Sequence, residues 1–118
     1  MRTSVIGKRL DSINEIVSKS SIKPKVVLIY SGFDCSECLK ESFRLVSGLK
    51  KDDKYDVFVI GSESNIGSDK IRFDYDAEIW FDGKSDIRKS LNYILSPAFL
   101  LLDSDNMVKS VFWTLPFA

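Results

Sequence analysis

The chain's two cysteines, Cys35 and Cys38, stand three residues apart and closely follow a short β-branched run. In 118 residues, roughly 2% of random placements would give that spacing, so any fold proposed for the chain has to account for it. Ahead of the pair, Val26-Val27-Leu28-Ile29-Tyr30 lies between Pro24 and Gly32 and has the composition of a strand buried on both faces, as in a parallel sheet. Ser31-Gly32-Phe33 then turns the chain. Asp34 followed three residues later by Glu37 reads as a capping box, with Asp34 as N-cap and Glu37 reaching back to its N–H, so that Cys35 opens a helix. Leu39, Phe43, Val46 and Leu49 give that helix an apolar face, and the polar stretch 50–54 ends it. Residues 55–60 read as a second buried strand, stopped by Gly61 and Ser62. Strand, helix and strand in this order demand a right-handed crossover and a parallel pair.

The rest of the chain supplies further elements around this unit. Ile6, Leu10, Ile13 and Val17 predict an amphipathic helix over residues 4–19. Residues 62–70 have no period and read as a loop. Over 71–81 the odd positions Ile71, Phe73, Tyr75, Ala77, Ile79 and Phe81 are apolar, which predicts an extended segment in part of that range. A short helix is expected over 84–92, with Ile87 and Leu91 inward. Residues 98–102 and 107–113 read as a hairpin joined by Asp103-Ser104-Asp105-Asn106. No repeat or linker interrupts the sequence, and a chain of 118 residues carries one core, so 1–118 is expected to be a single domain.

Composition removes whole classes of function. With no histidine there is no Ser-His-Asp triad, no Cys-His pair and no His-ligated metal. Seventeen basic and 17 acidic residues cancel and are interspersed, which argues against nucleic acid as a partner. The aromatic residues Trp80, Phe81, Phe99, Phe112, Trp113 and Phe117 come without a basic groove, and most of them read as core rather than as a stacking platform. The longest nearly apolar run, 94–102, has nine residues where a membrane span needs about 20. The amino end, with Arg2, Lys8 and Arg9, lacks the uninterrupted apolar stretch of a secretory signal. As written the chain is expected in the cytoplasm; if a leader has been trimmed, it is periplasmic or otherwise extracytoplasmic.

Three readings of the cysteine pair are open: a redox couple, half of a metal site, or coincidence. A tetrahedral metal site needs four ligands and the pair supplies two, so no metal is expected outside a site shared between chains. For a redox couple the placement is apt. The thiolate is the attacking form, and a helix start stabilises it through unpaired N–H groups and the positive end of the dipole. Cys38, one turn further on, faces the same side and can displace what Cys35 has bound. A disulfide closing so short a loop adds little stability, which favours reactivity as the explanation.

A buried strand, Cys35-Ser36-Glu37-Cys38 opening a helix, a second parallel strand, and Ser96-Pro97 leading into an apolar strand and hairpin together resemble the thioredoxin-like superfamily over residues 24–113. The 58 residues between Cys38 and Pro97, with 71–92 as an added strand and helix, resemble the TlpA-like redoxins in particular. The resemblance implies an α/β, three-layer thioredoxin-like fold, a mixed central sheet with an N-terminal helix and a C-terminal β-hairpin. It also implies that Pro97 is cis and that the backbone near Ser96 lies open to an extended substrate segment. The sequence departs from the family pattern at three places. Asp34 stands where an aromatic residue is common, Ile29 stands where a buried acid serves the second cysteine, and the closing helix after the hairpin is missing.

The function expected is therefore a thiol-disulfide oxidoreductase acting on protein disulfides. Cys35 would be the nucleophile and Cys38 the resolving thiol, with an electron-donor protein as partner and no cofactor. Asp34 and Glu37 place negative charge beside Cys35, oppose its ionisation and predict a relatively reducing couple. The alternative is a non-enzymatic thioredoxin-like module that binds a protein. A peroxidase of this fold would need a proline and a threonine ahead of the cysteine, where Leu28 and Gly32 stand. The apolar tail from Trp113 to Phe117 beside an unpaired hairpin edge points to a homodimer through that edge.

Overall fold

The computed structural model describes residues 5–16, 23–52, 54–62, 66–91 and 94–113. Its elements are α1 (Ile13–Ile16), β1 (Lys25–Ser31), α2 (Ser36–Lys50), β2 (Asp56–Ser62), α3 (Ile66–Arg72), β3 (Ile79–Phe81), α4 (Asp86–Ser90), β4 (Ala98–Leu102) and β5 (Val108–Phe112). The strands form one sheet in the order β3-β2-β1-β4-β5. β1, β2 and β3 run parallel, while β4 is antiparallel to β1 and to β5.

Alternation along the central strands explains the three layers. Val27 and Ile29 of β1, Phe58 and Ile60 of β2, and Leu100 and Leu102 of β4 point to one face, where Leu10, Ile13, Ile87 and Leu91 cover them. Val26, Leu28, Tyr30, Val59 and Phe99 point to the other, under Leu39, Phe43 and Val46 of α2 with Ile66 and Phe73 beside them. Every residue of β1 is buried, as expected of a central strand covered on both faces. In β5 the pairing jumps from Leu101–Ser110 to Leu102–Val108, so one extra residue lets Val108 and Val111 share a face although they are an odd number apart.

The helix expected over 4–19 and the loop expected over 62–70 are corrected. Residues 5–10 are not a regular helix. Gly7 has φ 90°, its N–H donates to Val108 O at 2.7 Å, and the N–H groups of Val108 and Leu10 donate to Lys8 O and Asn106 O at 2.9 and 2.8 Å. A backbone paired with a strand cannot also make helical bonds. Val5, Leu10 and Ile13 are still buried, but Ile6 is exposed, and Val17 lies outside the described residues. This segment also occupies the start of the β5 edge that was expected to be free for a second copy; Phe117 and the rest of the tail after residue 113 lie outside the described residues.

Within the stretch expected to be a loop lies α3, whose inward side chain is a carboxylate. Asp69 is buried and accepts from Tyr30 Oη at 2.8 Å, while Ile71 is 85% exposed, so no apolar period marks the helix. The alternation over 71–81 is accordingly helix, turn and a three-residue strand, and only Ile79–Phe81 is extended. In β3 Ile79 packs with the α2 core and half-buried Trp80 with the opposite one, while Phe81 is exposed. Ile87 and Leu91 are buried and the hairpin turns at 103–106, as expected, with Asp103 accepting from the N–H groups of Asp105 and Met107.

Candidate active site

β1 ends at Ser31, level with Ser62 of β2, and the chain turns there into α2. The turn is closed by the Asp34 N–H donating to Ser31 O at 3.0 Å and by the Gly32 N–H donating to Ser62 O at 3.3 Å. The helix is capped by Cys35, whose backbone is extended (φ −51°, ψ 127°) and whose Sγ accepts from the Cys38 N–H at 3.2 Å. Cys35 is therefore the cap and Ser36 the first helical residue. Asp34 was expected to be the cap and is not: its carboxylate turns back, Oδ2 accepting from the Ser31 N–H at 2.8 Å and Oδ1 from the Ser96 hydroxyl at 2.8 Å. A donor 62 positions away in sequence outcompetes the local N–H groups, and the sulfur takes up the cap.

The two thiols differ sharply in environment. Both are free, Cys35 exposed and Cys38 buried. Hydrogen bonds from the Cys38 thiol and backbone N–H, with a further one from the Glu37 backbone, hold the Cys35 thiol below its ordinary value of 9.0; slight desolvation and the Glu37 charge act in the opposite direction. The Cys38 thiol is pushed up to about 11, first by its hydrogen bond to Cys35, then by burial, then by the negative charges of Cys35 and Asp34. Glu37 thus opposes ionisation of Cys35 as expected but is outweighed, and the charge of Asp34 bears on Cys38. At neutral pH this arrangement presents one ionisable, accessible sulfur with a protonated partner in contact beneath it.

The second wall of the site is the segment before β4. The Ser96–Pro97 peptide bond is cis, Pro97 is buried, and Ser96 is tied to Asp34. The preceding Leu95 is 72% exposed, and its carbonyl accepts from Trp113 Nε1 at 2.8 Å. Ile29, where the resemblance would put a buried acid, is a core residue on the far face of the sheet from α2. Cys35, Cys38, Asp34 and Ser96 are thereby brought together, and Glu37 bears on the group through its backbone and charge. Among the described residues no group of three or more Cys, Asp or Glu side chains is arranged to hold a metal ion. No described helix is long and apolar enough to cross a membrane.

Sequence reasoning missed three neighbours of the pair. Phe33, two residues before Cys35, is 83% exposed, and Leu95 beside Ser96 is exposed as well. The signal for both was a large apolar side chain in a turn next to the motif. Arg72 of α3 donates to Ser36 Oγ at 2.6 Å and lies over the Phe73 ring at 4.7 Å; nothing local could have joined residues 36 apart.

No known protein-family model matches the sequence, and no curated protein matches it. Solved structures do. A secreted Mycobacterium tuberculosis disulfide oxidoreductase homologous to Escherichia coli DsbE superposes with a TM-score of 0.63 at 19% identity, covering 81% of this chain and 72% of that one. The pneumococcal exposed lipoprotein thioredoxin from Streptococcus pneumoniae gives 0.62 at 16% identity, over 80% and 77% of the two chains. StoA from Bacillus subtilis gives 0.58 at 13%, over 81% and 77%.

Proposed function

We propose that this chain, which has the thioredoxin-like α/β fold, is a thiol-disulfide oxidoreductase acting on protein disulfides, with Cys35 as nucleophile and Cys38 as resolving thiol. One observation carries the reading. An exposed sulfur of lowered pKa caps a helix in contact with a buried thiol held near pH 11, so attack and resolution fall to different sulfurs. In the forward cycle the Cys35 thiolate attacks one sulfur of the substrate disulfide, forming a mixed disulfide and expelling the other sulfur as a thiolate, which takes a proton from solvent. Cys38 then gives up its proton and attacks Cys35 Sγ. The Cys35–Cys38 disulfide forms, the second substrate thiol leaves, and two electrons have passed to the substrate. An external dithiol protein returns the pair to its reduced form.

A macromolecular substrate is supported by two exposed apolar side chains, Phe33 two residues before Cys35 and Leu95 directly before Ser96. On the direction, the Glu37 charge acts against the Cys35 thiolate and toward a reducing couple, while the larger effect of the hydrogen bonds from Cys38 acts toward an oxidising one, and a measured reduction potential decides between them. Two of the similar structures are by name a secreted protein and an exposed lipoprotein, which favours an extracytoplasmic place over the cytoplasm. The test is reduction of insulin disulfides by dithiothreitol. Acceleration by the wild type and a trapped mixed disulfide with Cys38→Ser support the oxidoreductase; no acceleration over dithiothreitol alone leaves the protein-binding module as the reading.

A further inference from the structure

The β1–β4 ladder stops one residue short of the site. Its last pair is Ile29–Ala98, and the next residue on β4's side, Pro97, has no N–H with which to continue. Beyond that point the loop carrying Cys35 and the loop carrying Ser96 diverge from adjacent strands. Asp34 joins them. One carboxylate oxygen holds the Ser31 N–H, where β1 ends, and the other holds the Ser96 hydroxyl, both at 2.8 Å. A carboxylate suits this place because it offers two acceptor oxygens and no donor, and bonds to an ionised acceptor are the stronger kind. The same residue is well placed in sequence to cap α2 and does not, so its side chain is committed to the link between loops.

We infer that Asp34 is a positioning residue that clamps the Ser96–Pro97 loop against the Cys35 loop and so sets where a protein segment lying on the first loop meets the sulfur on the second. The inference rests on the oxidoreductase reading and adds to it. A small disulfide reaches Cys35 without touching the Ser96 loop, whereas a protein disulfide has to fit both walls. Loss of the clamp therefore falls on the protein substrate.

The experiment is a double-mutant cycle with Asp34→Ala, Ser96→Ala and the pair, each assayed with insulin and with a small aromatic disulfide. The expected result is a fall of roughly threefold to tenfold in the insulin-to-small-disulfide rate ratio for each single variant, read mainly as a rise in KM for insulin, with no further fall in the double variant. Asp34→Asn, which keeps one acceptor oxygen and the side-chain shape, falls between wild type and Asp34→Ala and replaces it should the alanine variant not fold. General destabilisation would lower both rates and leave their ratio in place. An unchanged ratio in an active protein, or losses that multiply in the double variant, overturns the clamp alone. A wild type inactive on both disulfides overturns the oxidoreductase reading and the clamp with it.

Discussion

α2 and α4 both start at the end of the sheet where the parallel strands finish, and both present free backbone N–H groups there, yet they satisfy them differently. At α4 the buried carboxylate of Asp82 accepts from the N–H groups of Asp86 and Ile87, each at 2.9 Å, one to each oxygen. At α2 an acid stands just before the capping cysteine, but its carboxylate serves Ser31 and Ser96, and the cysteine sulfur accepts the Cys38 N–H at the longer distance of 3.2 Å. The first start is built for stability, with hard, matched partners removed from water. The second leaves the positive end of its dipole to a soft, exposed sulfur whose ionised form it favours, and that is the condition for thiolate chemistry. The difference shows how one fold separates a structural helix terminus from a reactive one: by where the nearest carboxylate finds its donors.

The contrast can be broken or sharpened by experiment. The largest effect is expected from Cys35→Ser, which removes all acceleration of insulin reduction while leaving the melting temperature near that of the wild type, because a hydroxyl can still accept the Cys38 N–H. A variant that retained turnover would remove the reactive role from this terminus. Next comes the separation of the thiols by pH. Cys35 is ionised from below pH 9.0, whereas a Cys38 value of about 11 leaves roughly one in ten thousand ionised at pH 7. Iodoacetamide at neutral pH should therefore modify Cys35 alone, as peptide mapping would show, and equal labelling would contradict the asymmetry.

At the structural terminus, Asp82→Ala should cost about 1–3 kcal/mol in urea unfolding, since two N–H groups lose their partner in a buried setting. The same variant should leave the rate of Cys35 alkylation as it was; a changed rate would mean the two termini are not independent. The smallest effect is expected from Glu37→Gln. The Glu37 charge holds the Cys35 value up, so its removal lowers that value and slightly quickens alkylation below pH 8, an effect that added salt should shrink. Slower alkylation would have the wrong sign.

Much of the architecture was legible because it follows from patterns within a few residues. Continuous burial of β1, the helical period of Leu39, Phe43 and Val46, the turn at 103–106 and the inward Ile87 and Leu91 were all readable at short range. The errors share one cause. α3 buries a carboxylate whose partner, Tyr30, is 39 positions away, and an apolar pattern search cannot see a helix held by such a bond. Residues 5–10 carry helical spacing but pair with the hairpin, a choice made by strand hydrogen bonds to residues about 100 positions on.

The site divides along the same line. That a cysteine pair opens a helix after a buried strand follows from residues 26–49 alone, because capping, strand composition and helical period are local properties. Which sulfur faces water, which carboxylate touches which loop, and how Ser96 comes to bond Asp34 depend on β4 lying against β1, a contact made across more than 60 residues. Short-range preferences could name the reactive pair; only the closing of the sheet could give Asp34 a partner more favourable than its own helix.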